Sequence, residues 1–150
     1  MTSLGDTLCS LDDEYPISSS YDAYQDYFLS VLNIIAPSEV PEVASSSLRI
    51  LEHFRRGEAD GGELSAACID CWNYLDRNDH WNNETRLDIA FTRALICALS
   101  EAPEAGQEGG ELVGTFLQIL EPILSDSGKH RSLSLLQNYF PGITVGNDGA

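Results

Sequence analysis

From residue 18 onward, apolar side chains return every three or four positions, the period of a helix that buries one face. Tyr24, Phe28, Val31, Leu32 and Ile35 form the first such stripe, and Pro37 ends it. Ser19 followed by Asp22 has the form of an N-terminal capping box with Asp in place of Glu, so the helix is expected to start at Ser18 or Ser19. A second helix opens near Pro41, a residue suited to a first turn. It carries Val43, Leu48, Leu51 and Phe54 inward and closes at Gly57 behind Arg55 and Arg56. Asp60-Gly61-Gly62 reads as a turn. A third helix, over about residues 63–76, places Leu64, Ala67, Cys68, Cys71, Trp72 and Leu75 on one face.

Residues 78–83 form a polar loop, and Asn82 or Asn83 can cap a fourth helix. That helix has Leu87, Phe91, Ala94, Leu95 and Ala98 on one side and Ile89, Ile96 and Leu99 on others, the pattern of a central helix. A second loop spans residues 103–110. The fifth helix, residues 111–125, is broadly apolar, and Pro122 is expected to kink it or break it into a last turn. Gly128 separates a short sixth helix, residues 130–140, which Pro141-Gly142 stops. No strand-period segment competes, apart from the short run 143–145. The fold class is therefore all-α: a single-domain bundle of five or six helices with short loops and loose termini. Residues 1–17 are expected to be a flexible acidic lead, 18–142 the helical domain, and 143–150 a loose tail.

Charge changes this picture most. Asp and Glu number 24 against 8 Lys and Arg, giving a formal net charge of -16. A small soluble domain needs only about 2–8 in magnitude. The 43% apolar content rules out acidity as a sign of global disorder. An excess this large repels itself and points to a basic partner. Free nucleic acid and anionic membrane are excluded as ligands, because both demand clusters of Lys and Arg. Lys129 is the only lysine, and Arg55-Arg56 is the only adjacent cation pair. No run of about 18 apolar residues is present. Residues 1–10 lack a basic segment followed by an apolar core, so the expected compartment is the cytoplasm, with Cys9, Cys68, Cys71 and Cys97 reduced.

The chemical motifs are sparse. Cys68-x-x-Cys71 has redox spacing, but a turn of helix precedes it and both thiols share the stripe of Leu64 and Leu75, which favours core packing. A zinc site there needs two further ligands, with His80 and Cys97 as the candidates, and the second pair at motif spacing is missing. His53, His80 and His130 are scattered. There is no Glu-x-x-His, no Gly-x-Ser-x-Gly and no phosphate loop. No metal, cofactor or catalytic residue is assigned, and the chain is not expected to be an enzyme.

The stronger constellation interleaves acids with aromatics. Asp12, Asp13, Glu14, Tyr15, Tyr21, Asp22 and Asp26 lie in one stretch, with Tyr24 and Tyr27 among them. Tyr rings can anchor in a partner while carboxylates pair with its Arg and Lys. The competing reading makes the tyrosines core residues and the acids a solvated face. A second group is Asp76, Asp79, Trp81 and Glu84, unless Trp81 folds back over the core.

The stretch Cys68-Ile69-Asp70-Cys71-Trp72-Asn73-Tyr74-Leu75-Asp76, followed by Trp81 and Arg93-Ala94-Leu95-Ile96-Cys97, resembles the small acidic all-helical immunity proteins of bacterial polymorphic-toxin and contact-dependent inhibition systems. The similarity extends to size and acidity and covers about a third of the chain. It implies a cognate toxin neutralised by direct binding, with a nuclease favoured because its substrate is polyanionic. Two other readings follow from the same acidity: an adaptor or chaperone for a secreted effector, and a nucleic-acid mimic. The broadly apolar fourth and fifth helices fit either a monomer or a homodimer.

Overall fold

Tyr24, Tyr27, Phe28, Val31 and Leu32 are all fully buried, and the helix that carries them organises the molecule. The structure is a computed structural model and describes residues 4–35, 40–78 and 86–145. The elements run α1 (Leu4–Glu14), α2 (Ile17–Leu32), α3 (Glu42–Arg55), α4 (Gly61–Asn78), α5 (Leu87–Ile96) and α6 (Gly109–Leu120). A 3-10 turn (Glu121–Ile123) and α7 (Asp126–Tyr139) complete them. The described residues are all-helical and form a single domain; the seven α-helices among them are slightly more than the five or six expected. The central helix α2 packs against α3, α5, α6 and α7. The α3–α4 pair lies on one flank, and α1 packs on α6.

Aromatic rings knit the centre. Phe28 lies 4.4 Å from Phe116 of α6, centroid to centroid, and Tyr24 lies 4.7 Å from Phe140, just past α7. Such tilted contacts add to the gain from area burial. The fourth predicted helix, now α5, does bury most of its circumference: Ile89, Ala90, Phe91, Thr92, Ala94 and Leu95. Pro122 ends α6 as expected, and the chain tightens there into the 3-10 turn.

Gly57 takes a positive φ of 77° and closes α3. The Glu58 N–H donates to the His53 carbonyl at 2.8 Å and the Gly57 N–H to the Phe54 carbonyl at 3.0 Å, the paired bonds of a Schellman ending.

Several expectations are corrected. Residues 4–14, read as a flexible lead, form α1. Leu11 is fully buried, and the buried Thr7 hydroxyl donates to the Thr144 carbonyl at 2.8 Å. Ile143 is buried too, so the start of the expected loose tail is held by α1. The Ser19–Asp22 box does not form, because Pro16 already supplies the extended N-cap backbone and buried Ile17 anchors an earlier turn. The cost is a kink at Ser20, whose φ and ψ are -125° and 18°. Gly61-Gly62 is not a turn but the first turn of α4. Asp60 caps it, accepting from the Glu63 N–H at 2.8 Å while the Glu63 carboxylate accepts from the Asp60 N–H at 3.3 Å. Gly109 and Gly110 open α6, and Gly128 lies inside the first turn of α7, capped by Ser125. Trp72, placed inward by its spacing, faces outward. The expectations for Pro37, His80, Asn82 and Asn83 fall outside the described residues.

Candidate functional site

Of the residues proposed for partner binding, the structure commits some to the interior and leaves others in solvent. Asp12 lies two residues before the end of α1, and its carboxylate meets the start of α6. Its Oδ1 accepts from the Gly110 N–H at 2.6 Å. A helix N-terminus presents unpaired N–H groups and a positive dipole end, so a carboxylate is well placed there. The approach requires glycine at both positions. A Cβ on Gly110 would lie 2.2 Å from the Leu8 carbonyl oxygen, and one on Gly109 would lie 2.1 Å from the Tyr24 hydroxyl. Asp13 and Glu14, next along α1, are exposed.

The tyrosines are struts. The Tyr21 hydroxyl donates to the Ser100 carbonyl at 3.1 Å, that of Tyr24 to the Tyr15 carbonyl at 2.8 Å, and that of Tyr27 to the Ser132 carbonyl at 2.8 Å. Tyr15 is half-buried, donates to the Pro141 carbonyl, and meets Phe140 edge-on at 5.2 Å. Tyr21 is therefore buried and offers no ring to a partner, because its side of α2 faces the core. Burial pushes the Tyr21 phenol up to about 12 and also raises Tyr24 and Tyr27. Neighbouring Gln25 is buried and donates to the carbonyls of Ala98 and Ser100 at 3.0 and 2.7 Å, fixing the chain beyond α5.

Asp22 and Asp26 do lie together, and Arg55 of α3 holds both. Its Nε donates to Asp26 at 2.7 Å, its Nη2 to the other Asp26 oxygen at 3.2 Å, and its Nη1 to Asp22 at 3.3 Å. The Asp22 side chain stays 84% exposed, so this pair sits at a wet surface and contributes about 0–1 kcal/mol. Asp76 is exposed on α4, while Asp79, Trp81 and Glu84 lie outside the described residues.

Two residues were missed. Ile69 is 59% exposed and Trp72 49%, and they are the exposed large apolar side chains among the described residues. Both lie on the outer face of α4. The inner face uses Leu64, Ala67, Cys71 and Leu75, so Trp72 falls just past its edge. The readable signal was that Ile69 and Trp72 share helical phase with Ser65 and Asp76. Further along α4, Tyr74 donates to Asp88 at 2.6 Å, and Arg86 grips the same carboxylate through Nε and Nη2 at 3.0 and 2.6 Å. Burial alone would raise the Asp88 carboxyl, but the Arg86 and Tyr74 hydrogen bonds outweigh it and hold the value below the usual range. The outer face of α4 is thus carried on a braced helix.

The thiols behave as packing groups. Cys71 is fully buried, its thiol donates to the Ser47 hydroxyl at 3.5 Å, and burial pushes it up to about 11. Burial also raises Cys68, and takes Cys97 to about 11, the opposite of an activated thiolate. Among the described residues no three His, Cys, Asp or Glu side chains gather as metal ligands. A recess of about 290 Å³ lies between α3 and the start of α4, lined by Ser46, Arg49, Ile50, His53, Glu58, Ala59 and Glu63. Its Arg49 and His53 are offset by Glu58 and Glu63, and His53 Nδ1 already lies 3.3 Å from Glu58. No helix among the described residues is long and apolar enough to cross a membrane. No family model, no curated protein and no solved structure matches the chain.

Proposed function

We propose that this protein is an acidic binding module that neutralises a basic protein by direct contact, in the manner of the helical immunity proteins that its central stretch resembles. The observation that carries this reading is that the fold does not use up its charge. Among the described residues the ion pairs engage Asp22, Asp26, Glu52, Glu58 and Asp88, while Asp13, Glu14, Glu42, Asp70, Asp76, Glu104 and Glu111 stand exposed. With a net charge of -16, these carboxylates steer a cationic target toward the module. Such steering raises association rates by roughly 10–1000-fold. Once docked, carboxylates filling a cleft built for phosphates exclude the polyanionic substrate. A nuclease toxin is the target class that best fits this chemistry.

Affinity capture on the tagged protein from its native cytosol at low salt, with stepwise salt elution and mass spectrometry, tests the reading. The expected result is one stoichiometric basic protein that leaves only on denaturation and whose activity disappears when the acidic chain is added back. Its association rate should fall steeply with salt while its dissociation rate changes little. An association rate that is flat from low to high salt would remove charge as the recruiting force, and a smear of basic proteins shed at moderate salt would overturn the proposal.

A further inference from the structure

The outer face of α4 is a surface that the charge argument leaves unexplained. At about 100° per residue, Ser65, Ile69, Trp72 and Asp76 fall in one narrow stripe along the helix. Ile69 and Trp72 leave large apolar area in water there, although the inner face of the same helix is filled by Leu64, Cys71 and Leu75. Trp is the residue type most enriched among energetic anchors of interfaces. Of the exposed charges on α4, Asp76 lies in the stripe itself, whereas Glu63, Asp70 and Arg77 fall on a flank of the helix more than about 100° from the centre of the stripe.

The overall charge of the chain selects the occupant. A second copy of the chain, itself at -16, would bring acids against acids. A cationic surface would instead pair with them as the apolar residues leave water. Resting on the reading that the chain binds a basic protein, we infer that the outer face of α4 is the docking surface, with Ile69 and Trp72 entering an apolar pocket of that partner and Asp76 pairing with a lysine or arginine at its rim.

A synthetic helical peptide with a leucine stripe flanked by arginines is the first probe, and the same peptide with glutamates in place of the arginines is its control. Trp72 reports directly, because subtracting the emission of W72F from that of the wild type isolates its signal. The arginine peptide should shift that signal to the blue and shield it from acrylamide, and the glutamate peptide should not. The double variant I69S/W72S, checked for an unchanged helical spectrum and melting temperature, should bind the arginine peptide at least ~10-fold more weakly. Q118A, altered on an exposed position of α6, should bind it as the wild type does.

Equal affinity of wild type and I69S/W72S, or no effect on Trp72, overturns the docking face. Sedimentation that shows a dimer dispersed by I69S/W72S overturns it as well, in favour of a second copy. The partner captured in the preceding experiment separates the two claims. If it leaves I69S/W72S with an unchanged dissociation rate, the face fails while the inhibitor reading stands. If no stoichiometric basic partner is captured, the inhibitor reading fails, and the inference about α4 falls with it.

Discussion

Trp72 and Leu75 are three residues apart on one helix and sit in different solvents. Leu75 is fully buried, and Trp72 is half in water. Truncating Leu75 to alanine leaves a cavity in a packed region and should cost about 2–5 kcal/mol. Trp72→Ala removes atoms that water already reaches and should cost under ~1 kcal/mol, although the residue is much larger. Urea unfolding of the two variants checks the order. If Trp72→Ala proves the more destabilising, the helix is rotated from its described position. Periodicity misplaced this residue for a physical reason. A 3.6-residue repeat fixes the spacing of a face but not its width, and Trp72 stands one step of about 100° beyond Cys71, where either side is compatible with the stripe. The tyrosines of α2 were ambiguous in the opposite sense. Their acid neighbours suggested a wet surface, but each hydroxyl finds an internal carbonyl, so the ring can be buried without leaving a polar group unpaired.

At the scale of elements, the helices themselves were legible and their ends were not. Long apolar stripes announced α2 through α7, and Pro122 and Gly57 stopped or broke the chain where their backbone chemistry requires. The sequence reads Gly61-Gly62 as a turn and Gly109-Gly110 as the end of a loop, because it shows glycine's freedom but not a neighbour's approach. At Gly110 the cause is the Leu8 carbonyl of α1, a partner about 100 residues away in the chain. The α1 helix was missed because its acids dominate the stretch, although Leu4, Leu8 and Leu11 already hold helical spacing. Its docking gives a direct test. Asp12→Ala deprives the Gly110 N–H of its acceptor and should cost about 0.5–2 kcal/mol, whereas Asp13→Ala, one residue on and exposed, should stay within about 0.5 kcal/mol. Equal effects of the two in urea unfolding would mean that α1 does not cap α6 in solution. Of the candidate site, the exposed acids were readable from composition, whereas the Ile69–Trp72 surface required knowing which way α4 faces.

For the whole molecule, acidity and burial act on the same balance at opposite ends of the pH scale, and the alkaline end is the sharper test. The interior holds acid groups that must stay protonated. Burial moves Cys71 and Cys97 from an ordinary 9.0 to about 11 and Tyr21 from 10.0 to about 12. The unfolded chain loses these protons at the ordinary values while the folded chain keeps them, so above pH 9 the unfolded state binds fewer protons. Stability carried by these groups is therefore complete below pH 9 and is lost as pH rises through the folded values. Each group that is ionised in the unfolded state and protonated in the native one contributes about 1.4 kcal/mol per pH unit to the slope. Every ionised phenol or thiol also adds to a charge that is already -16, so self-repulsion acts in the same direction. The urea midpoint should accordingly fall with increasing steepness from pH 9 to 11. Cys71→Ala removes one of the titrating groups and should show a shallower fall over that range, from a starting stability lowered by its own packing loss. A midpoint that stays flat to pH 11 would mean that the thiols and phenols ionise in the native state as freely as in the unfolded one, which is incompatible with the burial of Tyr21, Tyr27 and Cys71 that holds the bundle together.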